Sequence, residues 1–292
     1  MKGLTDFSLD EYLAADKGIV VYLESTDDVF VFKKWFGDLL SKIQFEPISG
    51  EKANGGCGAI IKFFDEDSPD LTFAYGIVDR DVLLRNINSA KYPDCSDLWW
   101  NIDDKDFNSQ HPFGEKIFIL HRWELENYLL HPEALHKLLE NKTRGETLLT
   151  SASEVAEKII ESELDLLAVT LFSVSGKGPA SMRYAQEKSG DDLWLEVHNI
   201  IKSEGEVNDY KERVMRFTED KVDPVKRWDK LSRLLDGKRT MYRLDKILHS
   251  NPKVFCLDEE YGALADNIVN LGLVDPDLKN WLTNVSRPKL ES

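Results

Sequence analysis

Short apolar runs alternate with polar segments along the first half of the chain. Residues 17–24 form a run rich in β-branched residues, and such a run favours a buried strand. Similar runs occupy 43–49, 71–81 and 116–122. The pattern therefore predicts four buried strands.

Segments whose apolar residues recur at helical spacing separate these runs. Thr26 is the predicted N-cap of the first helix, with Asp27 and Asp28 in its first turn, where the helix dipole favours acids. Apolar residues then recur at helical spacing at Val29, Phe32, Phe36, Leu39 and Leu40. Further helical segments are predicted at 59–65 and 123–140.

The alternation of strands and helices predicts an α/β fold with a Rossmann-like parallel sheet and helices on both faces. From about residue 150 the periodicity is helical throughout. We therefore predict a core over 15–150, with a polar insertion at 82–115, and a mostly helical region over 151–292. That second region would supply a substrate lid, a homodimer interface or a partner-docking surface.

Composition and charge exclude several classes of protein. The 292 residues carry a net charge of −16, which excludes a general basic coat for nucleic acid, since non-specific affinity for phosphates comes from Lys and Arg. The chain begins without the apolar segment of a signal peptide, and no stretch approaches the ~18 apolar residues of a membrane span. Three widely spaced cysteines predict reduced thiols and a cytoplasmic protein without membrane association.

Acidic side chains follow the predicted strands. Glu24 closes the first strand, Asp79 and Asp81 close the third, and Glu126 follows the fourth. Ligands of open α/β sheets bind outside the carboxyl ends of the strands, where these acids would converge. In an extended strand Asp79 and Asp81 would point the same way and Arg80 elsewhere. Such oxygens suit Mg²⁺, and two such ions ~4 Å apart can support phosphoryl transfer.

Each of these acids also has a purely structural interpretation. Glu24 could cap a turn, and Glu126 could be a solvated acid at a helix start, with Glu124 as a competitor for its role. The glycine-rich turn at 50–58 could be only a turn, or could let a phosphate approach the backbone. The basic stretch at 226–246 is more often a solvated helix face than a nucleic-acid surface.

Together these motifs resemble a TOPRIM domain: VVYLE with Glu24, GEKANGG with Gly50, and GIVDRD with Asp79 and Asp81. More narrowly, the chain resembles the TOPRIM family of OLD-like nucleases and of the effectors of PARIS antiphage systems. That match depends on YLE followed by Asp27 or Asp28, on LENYLL at 125–130 and on LDGKRTMYRL at 235–244. It spans roughly residues 17–250.

The resemblance implies a role for each matching residue. Glu24 would be a metal ligand or a general acid/base, Asp79 and Asp81 would bind magnesium, and Glu126 would complete the metal site. Lys238 would neutralise phosphate charge in the transition state. Contacts with the substrate are predicted for Gly50, Lys52 and Arg239.

The predicted function is a Mg²⁺- or Mn²⁺-dependent nuclease that acts as the toxic effector of an antiphage defence system. Its substrate would be RNA, including tRNA, or DNA, and an ABC-type ATPase partner would hold it inactive. One alternative is a non-catalytic, partner-binding regulator on the same scaffold. Another is a DxD phosphatase, although that family carries its DxD on the first strand and prefers Thr or Val where this chain has Leu83.

Overall fold

A four-stranded parallel sheet forms the centre of the protein in the computed structural model. Its strands are β1 (Ile19–Leu23), β2 (Ile43–Pro47), β3 (Ala74–Val78) and β4 (Ile117–Ile119), in the order β2-β1-β3-β4. All four predicted strands and their parallel arrangement are confirmed. The structure describes residues 18–48, 56–65, 73–84, 92, 94–101, 103–143, 149–175, 188–201, 203–219, 223–248 and 257–287.

Helix α1 (Thr26–Trp35) covers one face of the sheet. The buried Val21 of β1 is in register with Phe45 of β2, so both side chains lie on the same face. The ring of Phe32 on α1 packs 5.6 Å from that of Phe45, centroid to centroid.

Helix α2 (Cys57–Asp65) covers the opposite face. Tyr22, the next residue along β1, packs its ring 4.9 Å from that of Phe63 on α2. Gly76 is in register with Tyr22, and a Cβ at Gly76 would lie only 2.6 Å from Cγ2 of Ile60. The absence of a side chain at Gly76 therefore lets α2 pack closely, and the prediction of helices on both faces is confirmed.

The strand order creates a crevice between β1 and β3. The chain passes from β1 to β2 on one side, and then returns past β1 to β3 on the other. In open α/β sheets this reversal point, at the carboxyl ends of the strands, is where ligands bind.

Two local predictions were wrong. Ser25, not Thr26, is the N-cap of α1: its hydroxyl accepts the Asp28 N–H at 3.1 Å, and the Asp28 carboxylate accepts the Ser25 N–H at 2.9 Å. Strand β3 ends at Val78, and a 3₁₀ turn follows over Arg80–Leu84. Asp79 and Asp81 are therefore not alternate residues of one strand.

The insertion between β3 and β4 contributes to the core. It contains the short helices α3 (Ser96–Trp99) and α4 (Asp104–Ser109). Trp99 is completely buried, and its ring packs edge-on against Trp123 at 5.1 Å.

The described residues after β4 are mostly helical, as predicted. Their helices are α5 (Leu125–Leu129), α6 (Pro132–Thr143), α7 (Ala152–Ile160), α8 (Glu163–Val174), α9 (Gly190–Ile201), α10 (Glu204–Phe217), α11 (Pro224–Leu231), α12 (Gly237–Leu248), α13 (Tyr261–Asn270) and α14 (Pro276–Val285). Helix α13 packs on α1 and α6, and its buried residues belong to the same hydrophobic core as those of α1. The division at residue 150 stays a prediction. Among the described residues, no helix combines the length and apolar character needed to cross a bilayer.

Candidate metal centre

Glu24 and Asp79 meet at the crevice between β1 and β3. Each residue directly follows its strand, and the strands are neighbours in the sheet. The backbone N–H of Asp79 donates to Oε1 of Glu24 at 3.2 Å. One carboxylate oxygen from each and the sulfur of Cys57 lie within 4.8 Å of one another. The structure thus brings together two of the four predicted metal ligands.

Cys57 is a residue of this centre that the sequence analysis missed. It is the first residue of α2 and is fully buried, and its thiol donates to Oε1 of Glu24. Burial, followed by the charges of Glu24, Asp79 and Asp81, raises the pKa of Cys57 well above its ordinary value. The group is therefore a protonated donor that orients Glu24. Its place within the glycine-rich segment 50–58 of the sequence was the available signal.

Asp81 approaches the centre from the 3₁₀ turn rather than from the strand. Its Oδ1 lies 3.6 Å from the sulfur of Cys57. Asp81 therefore adjoins the centre but is not part of the close group formed by Glu24, Cys57 and Asp79.

Arg80, between the two aspartates, points into the core, whereas the prediction was only that it would point elsewhere than Asp79 and Asp81. Its guanidinium is completely buried and donates to the carbonyls of His121 at 2.8 Å, Trp99 at 2.7 Å and Asn101 at 3.2 Å. It also lies 4.4 Å from the ring centroid of Phe107. Burial lowers the pKa of Arg80 to about 9, so the group stays charged at neutral pH. Arg80 thereby ties the DxD segment to the insertion.

Glu126 occupies a second group of charges. It is 5% exposed, accepts a hydrogen bond from the Tyr261 hydroxyl, and lies 3.5 Å from Nζ of Lys238. Glu124 is equally close to that ammonium and also accepts the Lys238 N–H at 2.6 Å. Both glutamates thus face Lys238, and Glu126 lies outside the Glu24–Asp79 group that it was expected to complete.

The segments LENYLL (125–130) and LDGKRTMYRL (235–244) pack closely against each other. A Cβ at Gly237 would lie 2.4 Å from Oδ1 of Asn127, the third residue of LENYLL. That oxygen accepts the Glu124 N–H at 3.1 Å, and the Asn127 amide donates to the Leu235 carbonyl at 2.9 Å. The close approach of α5 and α12 therefore places Lys238 between the glutamates.

Arg239 anchors the start of α12. It is 8% exposed, and its Nε donates to the Ser173 hydroxyl at 2.8 Å. Its backbone N–H donates to the Asp236 carboxylate at 2.8 Å, which caps α12. Its contact with the substrate stays a prediction.

Charges of the Glu124–Glu126 group shift pKa values in the Glu24–Asp79 group and its neighbours. Burial, followed by the charge of Glu126, raises the pKa of Asp28 to about 7. Burial, followed by the charges of Glu24, Glu124 and Asp28, raises the pKa of Asp79 well above its ordinary value. Burial alone would lower the pKa of Lys238, but Glu124 and Glu126 raise it above its ordinary value. The carboxyl groups of the site therefore repel one another when they are ionised.

The donor set at the crevice fits a hard divalent cation. Carboxylate oxygens are the ligands that Mg²⁺ and Mn²⁺ prefer, and a cation would relieve the repulsion that raises the pKa of Asp79. Glu24 and Asp79 would hold the ion. The protonated thiol of Cys57 is better suited to donate to Glu24 than to bind a hard ion.

The basic stretch at 226–246, for which a solvated helix face was favoured over a nucleic-acid surface, is only partly exposed: the side chain of Lys226 is 71% exposed. Several of its guanidiniums instead link helices: Arg227 pairs with Glu163 at 2.5 Å, and Arg243 pairs with Asp165. Arg233 pairs with Asp104 of the insertion. These charges stabilise the fold.

Gly50 and Lys52, the remaining predicted substrate contacts, lie outside the described residues. No protein-family model matches the chain, and no curated protein matches it. The function is therefore inferred from the chemistry of the site.

Proposed function

We propose that the protein is a Mg²⁺- or Mn²⁺-dependent nuclease of the TOPRIM class. The observation that carries the proposal is the meeting of Glu24 and Asp79 at the reversal point of a parallel sheet. The raised pKa of Asp79 supports it, because buried carboxylates that repel one another are expected where a cation binds.

The residues of the site would divide the work of phosphodiester hydrolysis. Glu24 and Asp79 would hold the ion, which when bound polarises a phosphoryl oxygen and lowers the pKa of a water. The Cys57 thiol and the Asp79 N–H orient the Glu24 carboxylate, which can also accept a proton. The ammonium of Lys238, on a half-exposed side chain, can meet a phosphate oxygen.

The biological role we propose is that of a toxic effector in antiphage defence. Its substrate would be RNA, including tRNA, or DNA. An ABC-type ATPase partner would hold the protein inactive, and its net charge of −16 suits docking to a basic partner surface better than indiscriminate binding of nucleic acid.

The test is cleavage of total RNA, tRNA and plasmid DNA by the purified protein with Mg²⁺ or Mn²⁺, and with EDTA as the metal-free control. We expect metal-dependent cleavage that Glu24→Gln and Asp79→Asn abolish. Glu46→Gln is a matched control, because Glu46 lies on the neighbouring strand β2 but accepts a hydrogen bond from Gln44 outside the cluster. Equal cleavage by wild type and Glu24→Gln would refute the proposal.

The alternatives give different results. Metal-dependent hydrolysis of p-nitrophenyl phosphate without cleavage of any nucleic acid would favour the phosphatase. Absence of both activities, with and without the ATPase partner, would favour the non-catalytic regulator.

A further inference from the structure

Two pairs of carboxylates line the site, and they are compensated differently. The crevice pair, Glu24 and Asp79, has a hydrogen-bonding thiol and a backbone N–H beside it. The α5 pair, Glu124 and Glu126, already faces a cation, because Nζ of Lys238 lies 3.5 Å from an oxygen of each.

Lys238 is held in place by the fold. Its backbone N–H donates to Glu124 at 2.6 Å, so the main chain and the side chain bind the same carboxylate. Gly237, just before it, packs against Asn127 at a distance that leaves no room for a side chain. The position of the ammonium is therefore set by the junction of α5 and α12.

The α5 pair would be costly to bury without this cation. Glu124 and Glu126 are 7% and 5% exposed, and buried carboxylates need a partner charge and hydrogen bonds. The Tyr261 hydroxyl supplies one such bond to Glu126. A second divalent ion at this pair would meet the ammonium at close range and be repelled by it.

We propose that the ammonium of Lys238 takes the place of a second metal ion, so that the site binds one divalent cation, at the crevice pair. This inference rests on the proposed metal-dependent function. Glu126 would then be the partner of Lys238 and not a metal ligand. The substrate phosphate would lie between one bound metal ion and the ammonium of Lys238.

The experiment counts Mn²⁺ ions bound per chain, by electron paramagnetic resonance of free Mn²⁺ during a titration without nucleic acid. We expect one ion for the wild type and two for Lys238→Met, which keeps most of the side-chain length but removes the charge. Lys238→Arg retains a cation and should bind one. Lys226→Met, an exposed lysine that pairs with Asp223, is the control and should also bind one.

A double variant locates the additional ion. Adding Glu126→Gln to Lys238→Met should return the count to one, while Glu24→Gln in the wild type should abolish tight binding. The inference is overturned if the wild type binds two ions or none, if folded Lys238→Met still binds one, or if the second ion survives Glu126→Gln. If Lys238→Met does not fold, the counts for wild type and Lys238→Arg decide.

Metal counting needs no substrate, so the two proposals can fail separately. A chain that binds one Mn²⁺ and cleaves nothing would refute the nuclease and leave the one-ion site standing. A chain that cleaves nucleic acid while binding two ions would do the reverse.

Discussion

Gly237→Ala tests whether the two helical motifs form one interlocked unit. A Cβ at Gly237 would lie 2.4 Å from Oδ1, 2.8 Å from Cγ and 3.0 Å from the backbone N of Asn127. Contacts this short are not tolerated, so either Asn127 or the start of α12 must move. The displacement would carry Lys238 away from its glutamates.

The cost follows from the contacts that are lost. Overpacking a close interface costs about 1–3 kcal/mol. The Asn127 side chain makes two buried hydrogen bonds, to the Glu124 N–H and the Leu235 carbonyl, each worth about 1 kcal/mol. Alanine recovers at most ~1 kcal/mol through its helix propensity. We expect a net loss of about 2–4 kcal/mol, or a fall in melting temperature of about 4–8 °C.

Gly205→Ala provides the matched control. Gly205 lies in the first turn of α10, as Gly237 does in α12, but nothing stands within 4 Å of its added Cβ. Thermal unfolding of both variants, followed by circular dichroism in EDTA, should leave Gly205→Ala at or above the wild type. Equal melting temperatures for the two variants would refute the interlocking of α5 and α12.

Three further predictions concern buried polar groups. Because the raised pKa of Asp28 favours its protonated form in the folded state, stability in EDTA should fall as pH rises from the ordinary carboxyl pKa to about 7, and Asp28→Asn should make this fall smaller. Iodoacetamide should modify buried Cys57 more slowly than half-buried Cys95 in the native protein, measured by peptide mass spectrometry. Arg80→Met should cost about 3 kcal/mol or more in urea unfolding, since three carbonyls lose their donor.

Each of these has an outcome that contradicts it. An unchanged pH dependence in Asp28→Asn would show that another group titrates. Alkylation of Cys57 as fast as Cys95 would show that α2 opens readily. Wild-type stability of Arg80→Met would mean that the insertion does not depend on that guanidinium.

Most of the sheet could be predicted because buried parallel strands leave an unmistakable pattern. Runs such as that of β1 are apolar on both faces, and the acids at their ends mark the edge where ligands bind. The meeting of Glu24 with Asp79 follows from the order of the strands alone. The cap of α1 was missed by one residue because Ser25 and Thr26 are both good N-caps, and only backbone geometry separates them.

The pairing of Lys238 with Glu124 and Glu126 could not be predicted, because it depends on tertiary packing. The approach of Lys238 to Glu124 and Glu126 joins residues more than a hundred positions apart in the sequence. No periodicity indicates that the Tyr261 hydroxyl would reach Glu126. Cys57 was judged by its spacing from other cysteines, whereas its role depends on carboxylates that follow two other parts of the sheet.

The charge of the site argues for a ligand rather than for stability. Burial and mutual repulsion raise the pKa values of Asp28, Asp79 and Glu124, so the folded protein loses stability whenever these groups ionise. Lys238 pairs with Glu124 and Glu126. Packing alone would be served better by apolar residues at these positions. The repulsion among these buried carboxylates is the cost that the cation proposed for Glu24 and Asp79 would offset.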